Sequence, residues 1–216
     1  MLKIESINVS IQSVNILRNF SLNINSGETT GLIGRNGSGK TTTLRTIMGH
    51  LKAETGLIKF EEKNLLDFPA HFRPNLGIGY MPEGRDLVPE LTVEENILVP
   101  LWATKKNDIQ KRIEFVYNTI PELSQMKDRR SLLLSGGQQK LVALGRALAI
   151  GNKLLLLDEP FEGVAPALSE RLSDVMLTLR KSKISILIAQ SDLNHSKKLI
   201  DSKILIERGS NIMKKI

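Results

Sequence analysis

Apolar and polar positions alternate near the start of the chain. Over residues 2–10 and again over 20–24, apolar side chains fall on one face of an extended segment, which is the pattern of a strand with one buried face. The polar residues 12–15 join the two segments. We therefore predict an antiparallel β part at the N-terminal end, continued by a strand over 56–60 and a polar turn over 61–64.

Later apolar runs are short and uninterrupted, which is typical of parallel strands buried on both faces. They cover 77–81, 154–157 and 184–189, and Thr29–Ile33 is a further expected strand. Capping residues and helical spacing predict helices over 42–48, 135–148, 166–180 and 191–200, and others that start near Thr92 and Asp108. Because strands alternate with helices, we predict an α/β fold with a mainly parallel sheet at its core and a closing hairpin over 204–212.

The middle of the chain differs from both ends. Residues 84–150 carry little strand pattern and are predicted to form a mostly helical insert. With 216 residues in all, we expect a single domain over 1–216. Its core, including the antiparallel part, would span about 1–83 and 151–216, and its helical subdomain about 84–150.

The chain is basic, with 30 Lys and Arg against 23 Asp and Glu and a net charge of +7. Aromatic residues make up only 4%, and no basic run is interleaved with stacking side chains, so nucleic acid is disfavoured as a partner. Solvated helix faces, or weak attraction to an anionic membrane surface, explain the charge at least as well.

Cysteine content and the length of the apolar runs indicate where in the cell the protein acts. The chain has no cysteine, which excludes disulfides and thiolate metal sites. Its first residues lack the apolar core of a signal peptide, and no apolar run approaches the roughly 20 residues needed to span a bilayer. We expect a soluble protein on the cytoplasmic side, able to dock on the inner face of a membrane.

A glycine-rich loop stands between the strand Thr29–Ile33 and the following helix. It matches the phosphate-binding pattern G-x-x-x-x-G-K-[ST] in the required strand–loop–helix context, as Gly34, Arg35, Asn36, Gly37, Ser38, Gly39, Lys40 and Thr41, with Thr42 behind it. The glycines let successive N–H groups and a helix N-terminus face an anion. Lys40 adds a charge for the outer phosphates and Thr41 an oxygen for Mg²⁺. The alternative is an ordinary glycine-rich turn.

Two carboxylates follow the apolar run 154–157. Asp158 can hold Mg²⁺, directly or through water, and Glu159 can polarise an attacking water as general base. A polar strand end with a helix cap is the alternative. Glu83 also follows a buried strand, at the end where ligands sit in open α/β sheets.

A second anion site is predicted at the helix that begins near Ser135. Gly136 and Gly137 weaken a helix start by roughly a kcal/mol each relative to alanine, which a sequence tolerates where the backbone must approach a ligand closely. Their N–H groups and the Ser135 hydroxyl form an anion-binding surface at the helix N-terminus, with Gln138 behind them.

Phosphate loop, Ser-Gly-Gly-Gln stretch and Asp-Glu strand, in this order, resemble the ATP-binding-cassette (ABC) ATPases. The resemblance covers nearly the whole chain and implies the P-loop NTPase fold, with ATP hydrolysis assisted by Mg²⁺. It makes Ser135, Gly136, Gly137 and Gln138 the signature, which closes over the ATP of a partner cassette. It also implies that Thr41, Glu83 and Asp158 hold Mg²⁺ and that Glu159 and Gln190 are catalytic.

Three segments indicate a narrower resemblance. Residues 80–85, 91–96 and 158–166 look like the ATPases of branched-chain amino-acid importers. Such proteins work as two cassettes, identical or paralogous, on transmembrane permease subunits, and a periplasmic binding protein delivers the substrate. Alternatives are a cassette for another substrate, such as urea, short amides or a lipid, and a soluble ABC ATPase that acts on nucleic acid or ribosomes. A simple P-loop kinase or switch leaves the Ser135 stretch unexplained.

Three residues depart from the family pattern. Ile11 stands where most members stack an aromatic ring on adenine, so we expect weaker or less base-selective ATP binding. Gln190 replaces a histidine; its amide can donate to the γ-phosphate but cannot become cationic near neutral pH, so we expect little pH dependence of turnover from this position. Ala165 replaces an aspartate that helps two protomers communicate, which weakens the expected coupling between sites.

Overall fold

A computed structural model describes residues 1–193 and 196–211 of the chain. Within these residues the backbone forms ten strands: β1 (Leu2–Ile11), β2 (Val14–Ile24), β3 (Thr29–Ile33), β4 (Thr55–Phe60), β5 (Lys63–Asn64), β6 (Ile78–Met81), β7 (Leu154–Asp158), β8 (Ser185–Gln190), β9 (Ser202–Glu207) and β10 (Ser210–Asn211). The same residues form six α-helices: α1 (Lys40–Ile47), α2 (Val93–Ala103), α3 (Ile109–Thr119), α4 (Pro121–Gln125), α5 (Gly136–Ile150) and α6 (Pro166–Lys181). Short 3-10 turns cover Leu65–Asp67, Ala70–Leu76 and Ser131–Leu133.

The larger sheet has six strands in the order β10-β9-β3-β8-β7-β6. Strands β9 to β6 run parallel, and β10 runs antiparallel to β9. All residues of β3, β7 and β8 are buried, as expected for strands covered on both faces. The predicted α/β fold with a mainly parallel sheet is confirmed.

The smaller sheet is antiparallel, in the order β2-β1-β4-β5. Strand β2 begins at Val14, earlier than the predicted start at residue 20, because Gln12 and Ser13 adopt positive φ values of 48° and 64° and turn the chain sharply. The polar turn predicted over 61–64 is also shorter, since β5 pairs with β4. The predicted antiparallel part is therefore present, with longer strands than expected.

The segment between β6 and β7 holds α2 to α5. Thr92 caps α2 through a capping box with Glu95, as predicted. Pro121 follows α3 and begins α4, in the first helical position, which tolerates proline. Apolar residues of these helices share one buried cluster with β7, β8 and α6.

The helix predicted over 191–200 is wrong. The described residues there form turns, with the Lys197 N–H donating to the Leu193 carbonyl at 3.0 Å. The side-chain amide of Gln190 donates to the Asp192 carbonyl and to the Ser196 hydroxyl, and such side-chain bonds compete with a helix. Asn194 and His195 lie outside the described residues.

The predicted closing hairpin is formed by β9 and β10, except for Ile212, which lies outside the described residues. Strand β9 also pairs in parallel with β3. The hairpin therefore belongs to the central sheet and lies beside the strand that leads into the phosphate loop.

Candidate functional site

The phosphate loop lies at the carboxyl end of β3, between β8 and β9. Its glycines are required by the backbone: Gly39 has a φ of 110°, and a Cβ added at Gly34 would lie 2.3 Å from the carbonyl oxygen of Ile206. Loop N–H groups and the start of α1 thus come together at the centre of the sheet, where they can face an anion.

One cavity of about 390 Å³ is lined by eight of the predicted site residues. It is lined by Ile16, Asn36, Gly37, Gly39, Lys40, Thr41, Thr42, Glu83 and Glu159. The loop residues are thus brought together with two carboxylates that are distant in sequence. Gly34, Arg35 and Ser38, with other loop residues, line a neighbouring cavity of about 490 Å³.

Lys40 lies deep in this site. Its Nζ is 3.0 Å from the Glu159 Oε1, and the two side chains are only 5% and 7% exposed. The same ammonium donates to the carbonyl oxygens of Gly34 at 2.7 Å and Arg35 at 3.3 Å. Lysine is a mobile point charge, so it can exchange these oxygens for those of a phosphate.

Asp158 is fully buried at the tip of β7. The Thr41 hydroxyl donates to its Oδ1 at 3.2 Å, and the Tyr80 hydroxyl to its Oδ2 at 3.4 Å. Burial raises the pKa of Asp158 to about 6; the negative charges of Glu83 and Glu159 add to this rise, while Thr41 and Lys40 oppose it. An added cation would relieve this accumulation of negative charge.

The oxygen donors suit a hard cation such as Mg²⁺. In nucleotide sites Mg²⁺ is held by one or two carboxylates together with substrate phosphates, and Thr41 and Asp158 supply a hydroxyl and a carboxylate side by side. Over 1–193 and 196–211, no cluster of three or more His, Cys, Asp or Glu residues could hold a metal ion. The residues present therefore fit Mg²⁺ bound with a triphosphate.

Glu159 adopts an unusual backbone conformation, with a φ of 45°. Its N–H donates to the Ala189 carbonyl at 2.8 Å. Its Oε2 accepts from the N–H and hydroxyl of Ser191 at 3.2 and 3.4 Å. Its Oε1 faces the Lys40 ammonium, but no donor in the described part of the chain meets it with hydrogen-bond geometry.

Gln190 lies beside Glu159, and both line a further cavity of about 290 Å³. The backbone carbonyl of Gln190 accepts from the Gly34 N–H at 3.2 Å. Its side-chain amide donates within its own loop, to Asp192 and Ser196, while its Oε1 is buried and meets no donor among the residues described. A contact from this amide to a phosphate would need the side chain to turn.

The Ser135 stretch forms the N-terminal turn of α5, away from the cavity at the phosphate loop. Ser135 Oγ accepts from the Gln138 N–H at 3.3 Å, and Gln138 Oε1 accepts from the Ser135 N–H at 3.0 Å. Ser135 and Gly136 are exposed. The 390 Å³ cavity is lined by other residues, so the fold does not bring these two anion sites of one chain together.

Ile11 lies at the end of β1, opposite Val14, and is 36% exposed. It is Ile16, on β2, that lines the cavity of the phosphate loop. Sequence reasoning also missed Tyr80, which bonds Asp158 from β6, and Ser191, which bonds Glu159 from the residue after β8. Tyr80 lies within a motif used above, but nothing in the local pattern marks Ser191.

A larger cleft of about 670 Å³ opens beside the site. Thr41, Tyr80, Glu83 and Asp158 line it together with residues of α1, α2, α5 and the loops between, namely Arg45, Met48, His50, Pro74, Ile78, Pro82, Gly84, Asp86, Val99, Pro100, Arg146, Ala147 and Ile150. The segment that carries Glu83 is therefore shared by the nucleotide-side cavity and this cleft.

These features are those of a nucleotide-hydrolysing cassette, and comparison with known sequences decides the family. The sequence profile of the ABC transporter family matches residues 17–162. The chain belongs to the ABC transporter family. As one of its ATPases, this cassette binds nucleotide and hydrolyses ATP.

Relatives of this ABC ATPase include ATP-binding proteins of both amino-acid transport and lipopolysaccharide export systems. The high-affinity branched-chain amino acid transport ATP-binding protein BraG of Pseudomonas aeruginosa is 33% identical, over 99% of this chain and 91% of its own. The lipopolysaccharide export system ATP-binding protein LptB of Haemophilus influenzae is 32% identical, over 98% of this chain and 89% of its own. The resemblance to the ATPases of branched-chain amino-acid importers is confirmed, and the ATP-binding protein of a lipopolysaccharide export system is almost equally similar.

The fold agrees with solved ABC cassettes. The ADP conformation of an ATP-binding cassette of an ABC transporter superposes with a TM-score of 0.85 at 31% identity, covering 98% of this chain and 89% of that one. In the described residues of this ABC ATPase, no helix has the length and apolar character needed to cross a bilayer.

Proposed function

We propose that this ABC ATPase powers import of a small solute, a branched-chain or related amino acid, through partner transmembrane permease subunits. The likeness to BraG along nearly the whole chain carries this proposal. The protein would act at the cytoplasmic face of the membrane, held there by the permease, and receive its substrate indirectly from a periplasmic binding protein.

Residues 34–42 would bind the triphosphate of ATP. Loop N–H groups and the N-terminus of α1 supply positive potential, and Lys40 can move from Glu159 to the outer phosphates. Thr41 and Asp158, with Glu83 nearby, would hold Mg²⁺. When bound, Mg²⁺ would neutralise phosphate charge and orient the triphosphate.

Glu159 would act as general base. It is buried, and its Oε2 is fixed by Ser191 while its Oε1 depends on Lys40. Transfer of Lys40 to phosphate would leave Oε1 able to accept the proton of a water. Gln190 would support this step from beside Glu159, after its amide turns away from Ser196.

The signature of a second cassette would complete the site. Ser135 and Gly136 are exposed and lie outside their own chain's loop cavity, so this turn is accessible to a γ-phosphate held by a partner. We propose that residues 84–150 act as a helical subdomain which swings this signature into place, with core residues 1–83 and 151–216 holding the nucleotide.

The 670 Å³ cleft would receive a permease segment. It combines apolar side chains of α2 and α5, among them Val99 and Ile150, with Glu83 and Asp158 at one end. A segment docked there would contact the loop that carries Glu83, so nucleotide-driven motion of this loop would reach the permease.

Replacing Glu159 with Gln tests the nucleotide half of the proposal. We expect ATP binding to persist, ATP turnover to fall about 100-fold or more, and an ATP-bound dimer to accumulate in gel filtration. Glu170→Gln, the same change at an exposed position of α6, is the control and should turn over ATP normally. Rapid turnover by Glu159→Gln would reject Glu159 as the base.

The proposed role in transport is tested by identifying the proteins that copurify with the chain from its native membrane. Permease subunits that, reconstituted with the cassette, take up a branched-chain amino acid on addition of ATP would support import. The LptB likeness favours a second candidate, lipid export; ATP-dependent extraction of a lipid by the same complex would replace import with export. Copurification with nucleic acid instead would contradict both.

A further inference from the structure

Lys140 is a buried cation that none of these steps uses. It lies on α5, two residues after Gln138 of the signature, and is only 4% exposed. Its Nζ donates to the carbonyl oxygens of Glu159 and Pro160, both at 3.1 Å, and of Glu162. The side chain thus crosses from α5 to the segment that follows β7.

These contacts satisfy the hydrogen-bond donors of the Lys140 ammonium, a charged group that is costly to bury. An ammonium carries three donors and no acceptor, and these three carbonyl oxygens match them. Burial, together with the charge of Arg85, lowers the pKa of Lys140, while the carboxylates of Glu162, Glu159 and Glu83 act in the opposite direction. An apolar side chain would fill the same space without this desolvation cost, so the lysine serves to hold the segment it contacts.

That segment carries the proposed base in a strained conformation. A non-glycine residue at a φ of 45°, as at Glu159, costs on the order of 1–3 kcal/mol and persists only when its surroundings fix it. The Ala189 carbonyl fixes the N–H of Glu159, and Lys140 fixes its carbonyl. The backbone of the base is therefore held on both sides, from β8 and from α5.

We propose that Lys140 is a positioning residue for Glu159. It acts through the backbone of residues 159–162 and ties the helix that begins at the signature to the catalytic carboxylate of the same chain. This inference rests on the proposed role of Glu159 as general base.

Steady-state ATP hydrolysis by Lys140→Met and Lys140→Gln tests it. Met and Gln are of similar length, but only Gln keeps an N–H donor for the carbonyls. We expect Lys140→Met to lower kcat about 10- to 100-fold, because small displacements of a catalytic group have effects of this size, with KM for ATP changed less than about twofold since loop 34–42 is untouched. Lys140→Gln should fall between wild type and Lys140→Met.

A double variant distinguishes an effect of Lys140 on the position of Glu159 from a general loss of structure. If Lys140 acts through Glu159, adding Lys140→Met to Glu159→Gln should lower the residual rate by less than about twofold, because groups acting as a unit are not additive. Lys153→Met, which removes a lysine paired with Glu61 at the surface, is the control and should keep the kcat of the wild type.

Unchanged kcat in Lys140→Met would overturn the inference. So would an equal loss with and without Glu159→Gln, or loss of the cooperative thermal transition in both Lys140 variants, since these outcomes make Lys140 irrelevant or merely structural. The proposed function is judged separately, by whether Glu159→Gln alone abolishes turnover.

Discussion

Asp158 and Glu159 are adjacent in sequence, yet their surroundings differ. Glu159 faces Lys40 and accepts two bonds from Ser191. Asp158 accepts hydrogen bonds from the Thr41 and Tyr80 hydroxyls, and burial raises its pKa to about 6. The Glu159 carboxylate is therefore stabilised by protein groups, whereas the Asp158 carboxylate would gain most from a bound cation.

The raised pKa of Asp158 predicts a pH-dependent stability of the metal-free protein. Between about pH 4 and 6 the unfolded state loses a proton that the native state keeps, so the native state loses stability as pH rises through this window. We expect Asp158→Asn to be more stable than wild type above pH 6, by up to about 3 kcal/mol, and the difference to vanish near pH 4. Urea unfolding of both proteins from pH 4 to 7 measures it.

Asp128→Asn, at an exposed position, is the matched control for the removal of one carboxylate. If the difference in unfolding free energy between wild type and Asp158→Asn stays constant over this pH range, the assigned titration of Asp158 is contradicted.

The partners of Asp158 show why sequence predicted only part of the site. The loop motif identified Thr41, because its chemistry is local. Tyr80 reaches Asp158 because β6 and β7 pair with Tyr80 opposite Leu156, and residues two apart on neighbouring strands share a face. That register depends on long-range pairing and not on the pattern of either strand.

Among the elements, α5 makes the most varied connections. It begins with Ser135, holds the segment after β7 through Lys140, and binds the loop after β6 through Arg146. The Arg146 guanidinium donates to the carbonyls of Arg85 and Asp86 at 2.5 and 2.6 Å. One helix therefore contacts both segments that carry the carboxylates Glu83 and Glu159.

A second connection joins α4 to α6 and gives a prediction at this scale. Arg171 donates to both carboxylate oxygens of Glu122, which lowers the pKa of Glu122. Both side chains are about one-third exposed, so we expect Arg171→Met to cost no more than about 1 kcal/mol at pH 7. Because a lowered pKa stabilises the fold only above the ordinary value, this cost should shrink as pH falls below about 4.5.

Urea unfolding of Arg171→Met between pH 3.5 and 7 measures that cost. Arg171→Lys keeps the charge but not the two-pronged contact and should lose less stability. A loss that is equally large at pH 3.5 would assign the effect to packing rather than to the ion pair.

At the scale of the whole molecule, the two proposed anion-binding surfaces are separate: the Ser135 stretch does not line the cavity of the phosphate loop. If each ATP lies between the loop of one chain and the signature of another, a variant with a defective loop and a variant with a defective signature should regain ATPase activity when they are mixed. We expect Lys40→Met and Ser135→Arg each to be inactive alone. Mixed, they should regain part of the ATPase activity, because a two-chain assembly then contains one site with an intact loop and an intact signature.

The control mixture joins Lys40→Met with the double variant Lys40→Met/Ser135→Arg, in which every site has a damaged loop. Activity in the first mixture that equals this control would mean that the signature serves its own chain or none.

Sequence predicted the alternation of strands and helices and the parallel sheet, because buried apolar runs and capping residues are local features. The order of strands could not be predicted, and β9 beside β3 is the clearest case, since that pairing joins distant parts of the chain. The helix over 191–200 was wrong because its polar residues bond the Gln190 side chain, a contact that depends on where β8 ends.

Ser135 and Gln138 satisfy each other's backbone groups within the first turn of α5. The conformational entropy of this turn is thus lost during folding and not on contact with another chain. The rate at which this turn docks on a second chain would therefore be limited by diffusion and charge rather than by ordering of the turn. Two copies of this chain would each carry +7 and repel one another at long range, so the triphosphates between them would serve as the counter-charge that lets the copies stay together.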